Sequence, residues 1–216
     1  MITELHPFKP FIPHRAKMLV VGTFPPLAQY HDFKFYYPNS TGNRFWVIVE
    51  YVFDHKFQYW KGDLAVNERK FFLIKKRIAI TDMIDKCLRS NSNSSDKNLC
   101  NIKFRNVYKL LKDQSRIQKV ILTSRTYGSS EQIHKKHLSK PRNNSALELF
   151  NENLRENGII IESLRKMYNG VIEGEFKLTN RIIKIFVPYT PVAKWFNIAK
   201  VKVNNMYKYS FNSHIL

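Results

Sequence analysis

Met18-Leu19-Val20-Val21-Gly22-Thr23-Phe24-Pro25-Pro26 is the stretch on which the fold turns. A continuous apolar run that stops at a glycine reads as a strand buried on both faces, because a strand with one wet face would alternate. The same pattern recurs at Arg77-Ile78-Ala79-Ile80-Thr81 and at Lys119-Val120-Ile121-Leu122-Thr123. It recurs again at Arg181-Ile182-Ile183-Lys184-Ile185-Phe186-Val187, which stops at Pro188. Helical stretches separate these runs: Phe45 to Phe53, Asn67 to Lys76, Phe104 to Asp113, and Ala146 to Glu156 before the helix-stopping Gly158. A polar helix is expected near Ser129 to His137, a short strand at Ile159 to Glu162, and a closing helix at Lys194 to Tyr207. Strands alternating with helices predict an α/β domain, a parallel sheet with helices on both faces.

The chain has 216 residues, which suits one domain over 1–216. The polar stretches Ser90-Asn91-Ser92-Asn93-Ser94-Ser95-Asp96 and Ser139-Lys140-Pro141-Arg142-Asn143-Asn144 read as surface loops, too short to be domain linkers. With 44% hydrophobic residues there is ample apolar surface for a core, which excludes a disordered chain. Lys and Arg number 36 and Asp and Glu 17, a formal net charge of +19. Such a surface repels itself unless a polyanion covers it, so nucleic acid is the first partner class, ahead of an acidic membrane surface or an acidic protein. Two cysteines, Cys87 and Cys100, cannot build a disulfide framework or a four-cysteine metal site. With no leader-like start and no membrane-length apolar run, the expectation is a cytoplasmic, monomeric protein that uses no membrane and no cofactor.

In parallel sheets ligands bind beyond the carboxyl ends of the strands. That rule singles out Gly22 to Pro26, Thr81 to Asp85, Thr123 to Arg125 and Pro188 to Lys194. Gly22 permits a sharp turn and close approach of a ligand, and Pro25 and Pro26 stiffen the loop. The backbone N–H groups of Thr23 and Phe24 could then serve as a donor pair for an anionic oxygen. The loop Phe35-Tyr36-Tyr37-Pro38-Asn39-Ser40-Thr41-Gly42-Asn43-Arg44-Phe45-Trp46 is dense in aromatic and hydrogen-bonding side chains, a combination that suits base stacking in a basic protein.

Gly22-x-x-Pro25 after a strand, then Tyr36-Tyr37-Pro38, then Asn43-Arg44-Phe45-Trp46 opening a helix, resembles the uracil-DNA glycosylase superfamily, closest to its hypoxanthine-DNA glycosylase-like and mismatch-specific branches. Thr81-Asp82-Met83-Ile84-Asp85-Lys86-Cys87 resembles the family's next segment. Val187-Pro188-Tyr189-Thr190-Pro191-Val192-Ala193 stands in the place of its last motif. The four segments keep the family's order over Met18 to Asn197. The resemblance, with the four apolar runs, implies a three-layer α/β/α domain with a central, mostly parallel four-stranded sheet. It also implies a metal-free hydrolase that removes a deaminated or mismatched base flipped out of DNA. Phe24 stands where most branches carry a catalytic Asp or Asn. Tyr189 replaces a usual Ser, and the last motif lacks a His.

The resemblance assigns Asn43, Asp82 and Thr190 to catalysis: Asn43 to orient water, Asp82 to accept the ring N–H of the base, Thr190 to bond the leaving base or a phosphate. Gly22, Thr23, Phe24 and Tyr37 would hold the base, with Tyr37 stacked on it. Arg44, Pro188, Lys194, Lys200 and Lys202 would face DNA, and Val192, Ala193 and Lys194 would fill the hole in the duplex. Plain alternatives stand beside these: Asn43 or Asp82 as a helix cap, and Tyr37 as packing. From Lys177 to Leu216 there are seven basic residues (Lys177, Arg181, Lys184, Lys194, Lys200, Lys202, Lys208) and no acidic one, which supports a DNA face. Rival readings are a non-catalytic nucleic-acid-binding protein of the same fold and a metal nuclease with Asp82 and Asp85. His134 and His137 share a helical spacing but lack a third metal ligand, and Cys87 has no His partner to make it a nucleophile.

Overall fold

The computed structural model describes residues 2–38, 43–89, 96–124, 145–189, 191 and 200–213. In chain order these form β1 (Ile2–Leu5), β2 (Met18–Gly22), α1 (Phe45–Phe53), α2 (Gly62–Lys76), β3 (Ile78–Asp82), β4 (Ile84–Arg89), β5 (Leu99–Phe104), α3 (Val107–Asp113), β6 (Lys119–Leu122), α4 (Ala146–Arg155), β7 (Glu162–Lys166), β8 (Ile172–Leu178), β9 (Arg181–Val187) and α5 (Lys200–Asn212).

The main sheet has six strands in the order β3-β2-β6-β9-β8-β7. The four apolar runs of the sequence lie side by side and parallel. An antiparallel pair, β8 and β7, extends them, so the sheet is mixed and six-stranded rather than four-stranded. The two added strands carry Glu173, Glu175 and Lys177 or the exposed run Glu162-Ser163-Leu164-Arg165-Lys166, which hides them from a search for apolar runs. A second, three-stranded antiparallel sheet, β1-β4-β5, has no counterpart among the sequence expectations.

Successive residues of each central strand feed opposite cores. Leu19, Val21, Ala79, Val120, Leu122, Ile183, Ile185 and Val187 pack with α3 and α4. Val20, Ile78, Ile80, Ile121 and Phe186 pack with α1, α2 and α5. Strands that bury both faces have no polar side to show, which is why they read as unbroken apolar runs.

Several boundaries differ from expectation. α2 begins at Gly62, five residues before Asn67, with Asp63 in its first turn, where the helix dipole favours an acid. Phe104 ends a strand rather than opening a helix, and α3 is capped by the Asn106 side chain, which accepts from Lys109 N–H at 2.8 Å. The expected strand at Ile159 to Glu162 lies instead at Glu162–Lys166. After α4, Gly158 adopts φ 74° and Ile159 N–H bonds back to Leu154, which consumes the start of that run. The proposed helix near Ser129 to His137, the loop 139–144 and His134 with His137 lie outside the described residues. Among the described residues no helix is long and apolar enough to cross a membrane.

Candidate functional site

The winding of the sheet reverses between β2 and β6. β3 lies on one side of β2, and the next parallel strand, β6, lies on the other. In such sheets ligands bind at this switch point, beyond the carboxyl ends of the strands. Here it brings together Gly22 at the end of β2, Thr23 after it, Asp82 at the end of β3, and Thr123 and Ser124 after β6, all but Ser124 buried. Side chains link the ends of β2 and β6: Thr23 Oγ1 lies 3.0 Å from Ser124 Oγ.

Gly22 is the floor. A Cβ there would sit 2.2 Å from Asp82 Oδ1 and 2.6 Å from the Tyr37 hydroxyl, so a side chain at this position cannot coexist with either group. The carbonyls of Gly22 and Thr23 accept from Met83 and Ile84 N–H, which fastens the first loop to the end of β3. These bonds use the carbonyls, not the N–H groups that the sequence singles out.

Asp82 is paired with a residue that no motif marks. His6 Nε2 lies 2.9 Å from Asp82 Oδ2, and both side chains are buried, at 0% and 7% exposure. Phe8 N–H donates to His6 Nδ1 at 3.0 Å. Nδ1 therefore carries a lone pair, the ring proton sits on Nε2, and Nε2 donates to the carboxylate. Asp82 is the last residue of a strand and opens no helix, so the capping alternative does not hold for it.

Tyr37 reaches Gly22 from the loop before α1. Its hydroxyl shares a hydrogen bond with Thr123 Oγ1 at 2.8 Å. Burial first, and the Asp82 carboxylate second, hold this phenol well above its ordinary pKa, so it stays protonated. One ring face stacks on Phe45 at 4.1 Å. Tyr37 has φ 49° and precedes Pro38, a left-handed conformation that costs about 1–3 kcal/mol and is kept only where its surroundings impose it. Those surroundings include Arg105, which donates to the Tyr36 hydroxyl at 3.0 Å, to Thr81 Oγ1 at 3.1 Å, to Phe8 carbonyl oxygen at 2.9 Å and to Asp85 Oδ1 at 3.2 Å. Asp85 is thus engaged by an arginine and does not join Asp82 in a metal cluster. Among the described residues no group of three or more acidic, His or Cys side chains could hold a metal ion.

Asn43 Oδ1 accepts from Phe45 N–H at 3.0 Å, which fixes the side chain at the opening of α1. This is a local turn bond made one position before the N-cap, Arg44, which has no side-chain cap bond, so Asn43 is not the cap of α1; the bond occupies one of the two lone pairs on that oxygen. Arg44 beside it is half-buried, and its Nη1 is buried without a hydrogen-bond partner among the described residues. Phe24 makes a T-shaped contact with His6 at 5.4 Å and lies under Arg89, which sits over its ring at 5.7 Å. Pro188 is buried and Lys202 is exposed on α5. Thr190, Val192, Ala193 and Lys194 lie outside the described residues, as does the side chain of Lys200.

Asp96 stands at the end of a polar cluster that reads as plain loop, so no signal in the sequence marks it. Its burial raises the carboxyl to about 7, against a hydrogen bond from Thr23 that lowers it and the Asp82 charge that raises it further. Ala146 N–H donates to Ser124 Oγ at 2.8 Å, and Thr23 continues that chain to Asp96. Cys87 is buried, and burial lifts its thiol to about 11, which leaves it a packing residue. Cavities of about 310 and 300 Å³ lie elsewhere, around Asn106, Lys109 and Asp113 on the surface of α3, and lack convergent buried polar groups.

No protein-family model, curated protein or solved structure matches this chain.

Proposed function

We propose that the protein is a monofunctional DNA glycosylase that hydrolyses the N-glycosidic bond of a deaminated or mismatched base of the uracil or hypoxanthine class. The observation that carries this reading is the convergence, at the switch point, of Asp82 Oδ1 and the Tyr37 hydroxyl over Gly22. An acceptor-only carboxylate, an aromatic ring and a side-chain-free floor are the parts that a flipped-out base with a ring N–H requires. The resemblance of the loop and helix-opening motifs to the uracil-DNA glycosylase superfamily points the same way.

In this reading Asp82 accepts the ring N–H and Tyr37 stacks on the base, with Phe24 beside it. Asn43 Oδ1 keeps its second lone pair for a water, which it orients toward the sugar carbon. The water oxygen bonds to that carbon as the glycosidic bond breaks, the base leaves with the bonding pair as an anion, and the proton released by the water passes through solvent to that anion. An amide orients water without deprotonating it, so turnover is slow. Thr190 and the Thr23 and Phe24 N–H groups stabilise the leaving base. Arg44 supplies a phosphate contact: a cation beside the positive end of α1, with one nitrogen buried and unpaired among the described residues, is relieved by an incoming anion. Lys194, Lys200, Lys202 and the basic C-terminal segment extend that contact along DNA.

A second reading is favoured by Phe24, which occupies the place of a catalytic Asp or Asn and is engaged by His6 and Arg89. In that reading the chain binds nucleic acid without turnover. The test is a metal-free panel of labelled oligonucleotides carrying uracil, hypoxanthine, xanthine or a G·T mismatch, followed by alkali. Alkali-dependent cleavage that is lost in Asn43→Ala supports the glycosylase. Salt-sensitive binding with no cleavage of any substrate supports the binding protein, and chelator-sensitive cleavage without alkali refutes both.

A further inference from the structure

We propose that His6 is the positioning residue of Asp82, locked in its Nε2–H tautomer so that the carboxylate meets a substrate only as an acceptor. The proposal deepens the glycosylase reading and rests on it for its activity readout.

The N-terminal strand exists in this place to deliver the imidazole. β1 pairs with β4 in the register Leu5↔Lys86, and His6 N–H donates to Asp85 carbonyl oxygen at 2.8 Å. This anchors the residue one step beyond the strand, where its side chain crosses to the end of β3. Arg89 reinforces the attachment by donating to Glu4 at 2.8 and 3.0 Å and to Pro25 carbonyl oxygen at 3.2 Å. The same arginine therefore ties the N-terminal strand to the loop after β2.

The ring has no freedom to serve another purpose. Phe8 and Phe24 meet it edge-on at 5.8 and 5.4 Å, and Tyr36 lies 5.6 Å away. Its side chain is wholly enclosed. With Nδ1 accepting from Phe8 N–H and Nε2 donating to Asp82 Oδ2, both nitrogens are used and their roles cannot be exchanged without breaking a buried bond. The charged groups facing the pair are Asp82 itself, Asp96 across Thr23, and Arg89 and Arg105 behind the rings.

Fixing Oδ2 fixes Oδ1, the oxygen over Gly22. A carboxylate held in this way attracts a ring N–H and repels a ring nitrogen lone pair. The dyad thus favours bases with a lactam N–H over cytosine or adenine, a discrimination that grows because the site's own polar group would otherwise stay unpaired.

Three variants separate positioning from scaffolding. Gln at position 6 can place an amide N–H where Nε2 was, keeping the donor to Asp82. Asn can place an oxygen where Nδ1 was, keeping the acceptor for Phe8 N–H. Ala keeps neither. The expected order of excision is wild type and His6→Gln within about fivefold, with His6→Asn and His6→Ala lower by about 10²-fold, the effect of displacing a reacting group by about 1 Å. Melting temperatures are measured alongside, and the Gln and Asn pair decides the matter if Ala does not fold. Activity of His6→Asn equal to or above that of His6→Gln, or activity that simply tracks melting temperature, overturns the proposal and leaves His6 as the anchor of the Phe8 turn. The ¹⁵N spectrum of the wild-type imidazole tests the tautomer independently: a protonated Nε2 with a bare Nδ1 supports it, and any other state overturns it. If the wild type excises no base, the glycosylase reading fails, and the His6 assignment is then judged on that spectrum alone.

Discussion

Replacing Gly22 with Ala adds a single methyl group at the one point where two candidate site groups converge. The new Cβ would lie 2.2 Å from Asp82 Oδ1 and 2.6 Å from the Tyr37 hydroxyl, where ordinary contact begins at 3.4 Å. Neither neighbour can yield cheaply. Asp82 is held by His6 at 2.9 Å, and Tyr37 by Thr123 at 2.8 Å and by its stack on Phe45. Relieving the overlap requires both of them to move by about 1 Å or the end of β2 to shift, and overpacking of this kind costs about 1–3 kcal/mol. For a chain of this size each kcal/mol is worth about 2–4 °C, so the melting temperature should fall by about 2–12 °C. Excision should fall further than stability, by about 10²-fold, because the displaced groups are those proposed to meet the base. Thermal unfolding and the oligonucleotide panel, run on the same preparation, give both quantities. A variant with wild-type melting temperature and activity within twofold would refute the placement of Asp82 and Tyr37 over Gly22.

The raised Asp96 carboxyl makes a pH prediction: between its ordinary 3.8 and about 7 the folded state binds the extra proton, so stability falls as pH rises through that window. The fall is at most about 1.4 kcal/mol per pH unit, and Asp96→Asn should abolish it in denaturation curves taken at pH 4, 6 and 8. Arg69 lies inside a cage of Phe33, Trp46, Phe57 and Trp60 at 4.4 to 5.8 Å and donates to the Tyr59 carbonyl oxygen. Arg69→Lys cannot reproduce the planar stacking and should lower stability by about 2 kcal/mol, so an unchanged urea midpoint would argue against the cage. Buried Lys119 donates to the carbonyls of Phe211 and Ser213, so Lys119→Ala should cost about 1–3 kcal/mol and raise hydrogen exchange at the end of α5 before elsewhere. If Lys and Arg hold DNA through about four phosphates, affinity should drop by about 10²-fold between 50 and 200 mM salt, and a flat salt dependence would remove the electrostatic argument.

The sequence alone located the central frame. Four largely apolar runs became β2, β3, β6 and β9, because a strand packed on both faces has no side reserved for polar residues. α1 fell at the expected residues, and α4 stopped before Gly158. The rule that ligands lie beyond strand ends selected Gly22, Asp82 and Thr123, and the three lie side by side at the switch point. Strands with one wet face escape such a reading, since Glu and Lys alternate through β8 and β7 is almost wholly exposed. The short antiparallel sheet of β1, β4 and β5 has no apolar run to announce it.

The partners within the site are a matter of tertiary structure. His6 and Asp82 are 76 residues apart, and Tyr37 and Thr123 86 apart, so no local spacing relates them. Asp96 sits in a polar cluster that is indistinguishable from solvated loop until the chain closes over it. Asn43 reads both as a helix cap and as a water holder, and its bond to Phe45 N–H fixes it one position before the actual N-cap, Arg44, while leaving a lone pair for a water. Periodicity and composition determine which segments are buried, because burial is a property each residue carries through its own side chain. Which buried polar groups meet depends on strand order and on the chain reversals between them, and these arise only when the whole sheet is assembled.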